Sequence, residues 1–334
     1  MGNQFTNTEN HQIIKKYVKM HPQMFKRTLA RLIIQENPEV FGICDNANIG
    51  RVRGSIQVLT GCAGKEKRKL QDRLFMSAFQ PDYNFEIKPN VIIKPGKALI
   101  IADIHGYNSV ASERLRDYFL FAKDQKCDTI ILNGDIIDNE QLARWQQVSK
   151  RTRLQQEYDW VQEFMCDITD MFPNAKRYYK FGNHELWYQK ALWNNPNIMG
   201  IESIEEALRL ENILGVKDCG FNFVDYTQSM ECGDLLVNHG HEAKRGGQYI
   251  ANTMLNYYGQ SIAFDHFHRI DKAKKTIFGK KNIYGYSLPC ARTLSAEYTG
   301  INNQWEKGFA ICEFDKDSHE MLIYTDINNK LRLY

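Results

Sequence analysis

Five short clusters in this chain carry side chains that folding alone does not require: Asp103-Ile-His105, Gly134-Asp135-Ile-Ile-Asp138, Gly182-Asn183-His184-Glu185, His239-Gly-His241 and His266-Phe-His268. Together they hold six of the nine histidines in the chain. That concentration matters, because a lone buried histidine is usually a satisfied core residue and a lone Asp after a strand is usually a turn former. Five such clusters would leave many polar groups exposed or buried without structural need. Asp, His and Asn without cysteine suit a borderline-to-hard divalent cation such as manganese, iron or zinc, rather than a thiolate-held structural zinc. In the D-x-H pair, extended backbone would aim both side chains the same way, so that Asp103 and His105 grip one ion. In YYKFGNHELW, residues 178–187, a strand-like run stops on Gly182 and Asn183, which a turn can use. His184 and Glu185, which follow, are surplus to folding.

Each cluster closes an apolar run. KALIIADIHG, CDTIILNGDIID, RYYKF, DLLVNHGHE and SIAFDHFHRI read as strands, while SERLRDYFLFAKD and the region 139–172 read as helical. This strand, loop, helix rhythm from Lys97 onward predicts an α/β fold with the clusters just past the strands' C-terminal ends, where such sheets place their ligands. GFAICEFD and EMLIYTDI alternate as sheet strands and carry no visible chemistry.

The series D-x-H, G-D-x-x-D, G-N-H-E, H and H-x-H, in this order and at strand ends, resembles the calcineurin-like metallophosphoesterases over residues 97–334. The resemblance implies a four-layer α/β/β/α sandwich with a two-metal site, spanning 96–334 as one domain. It further implies that Asp103, His105 and His268 hold one divalent ion and that Asn183, His239 and His266 hold a second, with Asp135 bridging. On the same basis His184 protonates the leaving group and Asp138 orients it. Two cations at such a spacing, about 3.5–4 Å, activate water and stabilise charge on the attacking and departing oxygens of a phosphoryl centre.

Two departures from the family pattern stand out. Asp265 occupies the place of the usual glycine in G-H-x-H, and Asp enters the glycine-type turn less easily. Family phosphoprotein phosphatases carry an Arg after each of G-D-x-x-D and G-N-H-E, whereas this chain has Asn139 and Leu186-Trp187 there, which disfavours phosphoprotein substrates. Lys244, Arg245 and Arg269 are candidates for phosphate contact. Trp187, Tyr188 and Trp193 are expected in core packing, and His241 beside the ligands rather than among them.

The N-terminal part differs in charge. Residues 11–70 hold twelve Lys or Arg against four Asp or Glu, a net of +8 in a chain of net +3, so the remainder carries −5. Apolar spacing predicts three short helices: one on Ile13, Ile14, Tyr17 and Val18, a second ending near Pro38, and a third in NANIGRVRGSIQVLTG capped by Asn46 or Asn48 and closed by Gly61. Its outer face would present Gly50, Arg51, Gly54 and Gln57, with Arg53 and Ser55 on the flanks. Residues 1–70 thus resemble a small all-α helix-turn-helix module, with Arg51, Arg53 and Gln57, and Lys65, Lys67, Arg68 and Lys69 of the KEKRK run, as DNA contacts; a small helical bundle used for packing or oligomerisation is the alternative. Residues 71–95, with QPDYN and two Lys-Pro pairs, read as a linker holding one strand, NVIIK.

Composition narrows the function classes. No apolar run approaches the roughly 20 residues of a bilayer helix, and MGNQFTNTEN lacks a secretory pattern, so a cytoplasmic protein is expected. The eight cysteines are scattered without a C-x-x-C pair and read as reduced, mostly buried thiols. The expected function is metal-dependent hydrolysis of phosphate esters, with nucleic acid as one substrate class and small metabolites or nucleotides as another. A non-catalytic DNA-binding or assembly protein on the same fold is the contrasting class, and the basic arm on an acidic body resembles phage- or mobile-element-borne members of the family.

Overall fold

Strands buried on both faces show little alternation, which is why the runs before the clusters are almost continuously apolar. A computed structural model describes residues 8–60, 88–106, 112–143, 153–195, 200–242, 249–279, 281–294 and 303–334. The chain divides into two compact units, residues 1–86 and 87–334.

The first unit contains helices α1 (Thr8–Met20), α2 (Lys26–Glu36), α3 (Pro38–Phe41) and α4 (Asn46–Leu59). Ile14, Leu29, Ile33, Ile34, Phe41, Val52 and Ile56 form its core. The single turn α3 was not expected. Pro38, which cannot prolong α2, has a backbone angle pre-set for a new first turn. Asp45, rather than Asn46 or Asn48, caps α4, its carboxylate accepting from the Asn48 N–H at 2.7 Å, while the Asn48 amide turns back to donate to the Ile43 carbonyl. Arg51 and Arg53 are exposed on α4 and Gln57 is half-buried, but Ser55 is buried instead of flanking the outer face. Gly61, Lys65, Lys67, Arg68 and Lys69 lie outside the described residues.

In the second unit β2 (Gly96–Ile101), β3 (Thr129–Asn133), β4 (Lys176–Lys180) and β5 (Asn222–Val224) run parallel, and β11 (Gly308–Phe314), β12 (His319–Ile327) and β13 (Lys330–Leu333) extend them antiparallel, in the order β13-β12-β11-β2-β3-β4-β5. A second sheet joins β1 (Val91–Ile92), β6 (Met230–Cys232), β7 (Leu235–Asn238), β8 (Ser261–Phe264), β10 (Ile283–Ser287) and β9 (Asp271–Lys275) in that order. The end of the expected linker is thus sheet, Val91 and Ile92 pairing with Met230 and Glu231, while residues 71–87 lie outside the described residues.

Alternate residues of β2 and β3 fill two different cores. Leu99, Ile101, Ile130 and Leu132 meet Leu115 and Phe119 of α5 (Ser112–Asp124) and Val161 and Met165 of α6 (Leu154–Met171). Ala98, Ile100 and Ile131 meet Leu235, Val237 and Ala263 between the sheets. Leu236, Ile262 and Phe264 pack outward on Met254 and Leu255 of the helix Ile250–Tyr258. Four layers follow, α/β/β/α, and all five clusters lie past the C-terminal ends of parallel strands. Among the described residues no helix is long and apolar enough to cross a membrane.

Candidate metal centre

Asp103 and His105 follow β2 in left-handed backbone, with φ of +50° and +54°, so the alternation of an extended segment is not what brings them together. The loop is instead stitched to its neighbour: the Asp103 and His105 N–H groups donate to the Gly134 and Asp135 carbonyls, each at 3.0 Å. Among the described residues nine non-glycine positions have positive φ, and six of them are Asp103, His105, Asp135, Asn139, His266 and His268. Such backbone costs on the order of 1 kcal/mol or more per residue and persists where the surroundings over-determine it.

Three convergent groups result, the third being His105, Asp138 and His184. Asp103, His105 and His268 form one, with His268 Nε2 at 3.1 Å from Asp103 Oδ1 and 3.4 Å from His105 Nε2. Asp135, His239 and His266 form a second, with His239 Nε2 3.2 Å from Asp135 Oδ2 and 3.2 Å from Asn183 Oδ1. Asp138 serves two rings: its Oδ1 lies 3.1 Å from His105 Nδ1 and 3.3 Å from His184 Nδ1. The nearest acceptor for His184 Nδ1–H is the Asp138 carbonyl oxygen at 2.6 Å, so backbone as well as carboxylate orients that ring.

The ring nitrogens that face the carboxylates are set by the hydrogen bonds on the other side of each ring. His239 Nδ1–H donates to the Asn133 carbonyl at 2.8 Å, which leaves Nε2 as the nitrogen aimed at Asp135 and Asn183. His105 Nδ1–H donates to Asp138, leaving its Nε2 facing Asp103 and His268. Asp103 Oδ1 is buried without a hydrogen-bond donor, its other oxygen accepting from the His266 N–H at 2.9 Å. Burial pulls His239 down, yet Asp135 beside it prevails and raises it to about 10; His184 reaches about 9 against burial through Asp135 and Asp138. Burial pushes Asp135 up, but His239 and His184 hold it well below the usual carboxylate range. Ring nitrogens converging on buried carboxylates that draw protons onto them mark a deficit of positive charge, of the kind a divalent cation would fill.

Several residues essential to this geometry had no reading as such in the sequence. Glu185 is fully buried and accepts four hydrogen bonds, from the N–H groups of Asp135 (3.0 Å), Ile136 (3.0 Å) and Gly182 (2.9 Å) and from the Tyr179 hydroxyl (2.9 Å). Far from being surplus to folding, it ties the loop after β3 to the start of α7 (Asn183–Trp193). Glu157 of α6 accepts from the Asp138 N–H and, at 3.2 Å, the Asn139 N–H. Gly134, at φ +94°, and Gly182 must be glycine, because a Cβ on Gly134 would sit 2.6 Å from His239 Nδ1 and one on Gly182 would sit 2.9 Å from His239 Nε2. Asp265, by contrast, needs no left-handed backbone. Its buried carboxyl accepts from Asn133 Nδ2 at 2.6 Å, and burial beside Asp103 pushes its pKa well up.

The places where related phosphatases carry Arg are occupied structurally here. Asn139 is buried, donating its amide to the His184 carbonyl (2.8 Å) and accepting from Tyr158 (2.9 Å), and Trp187 lies against the His184 ring with centroids 3.9 Å apart. Of the proposed phosphate contacts, Lys244 and Arg245 lie outside the described residues, and Arg269 is engaged with Gln304 at 3.2 Å. His241 packs beside His239 at 5.7 Å, burial lowering its pKa to about 4. Trp193 is half exposed rather than in the core, whereas Tyr188 packs against it. One cation at the centre had no motif to announce it. Arg292 is 3% exposed, its guanidinium lies 5.2 Å from the Trp305 ring, and Trp305 meets the His268 ring edge at 4.4 Å. The Ala291 N–H donates to the Ala102 carbonyl at 3.0 Å, which pins this loop beside Asp103.

The calcineurin-like phosphoesterase family model matches residues 96–280, which is 185 of the 334 residues. No curated protein sequence matches the chain. Among solved structures, wild-type Vps29 of Entamoeba histolytica complexed with Zn2+ is 13% identical over 71% of this chain and 97% of its own, with a TM-score of 0.36. Vps29 of Cryptosporidium parvum is 12% identical over 72% of this chain and 97% of its own, at 0.39. The phosphoesterase YfcE of E. coli is 10% identical over 67% of this chain and 96% of its own, at 0.30. Since the matched family span takes in every one of the five clusters, the chain belongs to the calcineurin-like phosphoesterases.

Proposed function

We propose that the second unit hydrolyses phosphate esters with two divalent cations, one held by Asp103, His105 and His268 and the other by Asn183, His239 and His266, with Asp135 between them. The observation that carries this is the convergence of imidazole and carboxylate ligand atoms in two groups, Asp103–His105–His268 and Asp135–His239–His266. The donor set of imidazole, carboxylate and amide without thiolate suits manganese first, with iron or zinc as alternatives. Such ions supply Lewis acidity to phosphoryl oxygens and a nucleophile at neutral pH.

The chain's own residues supply the rest. His184 gives its Nδ1–H to the Asp138 carbonyl, so the second proton of its imidazolium sits at Nε2, 3.7 Å from Asp135 Oδ2, and is the proton proposed for a leaving oxygen. Asp138, whose carboxylate lies 3.3 Å from Nδ1 as well, favours the protonated ring. Trp187 covers one face of the ring and excludes water there. Arg292, buried beside Trp305 and His268, is the proposed contact for a phosphoryl oxygen, a role that suits a planar five-donor cation.

A nucleic-acid substrate is favoured by one observation, the +8 charge of residues 11–70, with Arg51 and Arg53 exposed on α4. The deciding experiment assays metal-stripped and manganese-reconstituted protein on a phosphomonoester, a phosphodiester, and single- and double-stranded DNA. Manganese-dependent hydrolysis of at least one is expected. Metal-loaded protein inert on all four would leave a binding or assembly protein. If DNA is the substrate, deleting residues 1–70 weakens DNA binding and its salt dependence while a small chromogenic ester is hydrolysed as before.

A further inference from the structure

Cys166 and Cys219 belong to none of the clusters and are 53 residues apart in sequence, yet their sulfurs lie 2.8 Å from each other. Cys166 sits on α6, Cys219 in the turn that leads into β5. A disulfide bond is about 2.05 Å long, so a sub-ångström movement closes the pair. The approach is held by neighbours on the same helix face. Gln162, one turn before Cys166, donates Nε2–H to the Ile213 carbonyl at 2.9 Å, and Thr169, one turn after, donates its hydroxyl to the Cys219 carbonyl at 2.6 Å. The register of the two thiols is therefore fixed by hydrogen bonds that do not depend on their oxidation state. The two also differ in access: Cys166 is exposed and Cys219 buried, where burial pushes its thiol up to about 12.

We propose that Cys166 and Cys219 form an oxidisable dithiol, a covalent modification site for small peroxides that is separate from the hydrolytic centre. The Cys166 thiolate attacks one peroxide oxygen, the O–O bond breaks, and a sulfenic acid forms as the first water leaves. The Cys219 sulfur then attacks the sulfenic sulfur, its proton leaving with the displaced hydroxyl as a second water. Two thiols and one hydrogen peroxide give one disulfide and two waters, the sulfurs losing two electrons and the peroxide gaining them. The buried thiol acts only as the resolving partner, which keeps Cys166 from further oxidation.

The test uses the full chain carrying Cys44→Ser, which removes the other exposed thiol among the described residues. It is treated with a few equivalents of hydrogen peroxide and analysed by intact mass and non-reducing peptide mapping. The expected result is a loss of about 2 Da, a peptide joining residues 166 and 219, and restoration by dithiothreitol. In the Cys219→Ser variant the same treatment should leave a dimedone-reactive sulfenic acid on Cys166. A gain of about 32 Da on Cys166 with both thiols present, a cross-link between other cysteines, or no change under conditions that oxidise the variant would each overturn the proposal.

Discussion

Replacing Glu185 by Gln changes one atom at the point where two loops of the centre meet, and its effect can be worked out from the four hydrogen bonds. Oε2 accepts from the Asp135 and Gly182 N–H groups and Oε1 from the Ile136 N–H and the Tyr179 hydroxyl. Gln presents one oxygen and one NH2, so whichever way it turns, two donors face another donor. The Tyr179 hydroxyl can rotate to accept, but a backbone N–H cannot, and at least one is orphaned in a fully buried place. An orphaned buried donor costs about 1–3 kcal/mol, and the remaining bonds lose their charge assistance, about 1 kcal/mol each. Removing a buried charge from beside Asp135 offsets part of this, since burial and Asp135 both push Glu185 up. The expected net loss is about 2–4 kcal/mol. All five tryptophans lie beyond residue 86, so urea unfolding in the presence of a chelator, followed by tryptophan fluorescence, reports on the second unit alone. Weakened metal binding should accompany the loss, because the left-handed turn at Asp135 depends on the same bonds. A variant within about 0.5 kcal/mol of the parent, with undiminished metal affinity, would refute the role assigned to Glu185.

Three further outcomes can be checked separately. His184→Asn should keep both metals and impair alkyl phosphate esters by about 10²–10⁴-fold while sparing nitrophenyl esters, whose leaving group departs unprotonated; equal losses on both with a metal missing would make His184 a ligand. Arg292→Ala should leave metal content unchanged and raise KM and the inhibition constant of inorganic phosphate about tenfold or more, and an unchanged phosphate inhibition would assign Arg292 to packing on Trp305 alone. Lys180 is buried with Nζ donating to the carbonyls of Asp225, Tyr226 and Gln228, and burial lowers it to about 8. A folded pKa below the unfolded one makes its contribution fullest above the unfolded value and lost as pH falls through 8, so stability relative to Lys180→Met should rise by about 2 kcal/mol from pH 8 to pH 10. A flat difference between the two proteins over that interval would contradict the lowered value.

What the sequence makes legible here follows from which forces are local. Apolar runs such as IILN and LLVN declare doubly buried strands, and polar clusters at their ends stand out because nothing in strand or helix formation asks for Asp103, Asp135 or His268. The left-handed turns at Asp103 and His105 could not be read, since they are imposed by carbonyls of the loop after β3, about thirty residues away in the chain. Glu185 looked dispensable because three of its four donors come from other segments or from the preceding strand. Asp45 took the cap from two nearby asparagines, Asn48 being drawn back to the Ile43 carbonyl, and Arg292 belongs to no periodic pattern at all.

The most direct measurement is the count of divalent ions bound per chain, by elemental analysis after manganese reconstitution and removal of excess metal, in the parent and in Asp135→Asn, with ester hydrolysis followed in the same samples. Two ions per chain with manganese-dependent turnover in the parent, and loss of at least one ion together with turnover in an Asp135→Asn protein that remains folded, is the result expected of a dinuclear centre joined by Asp135. One ion or none in the active parent, or two ions and normal turnover in the variant, would contradict it.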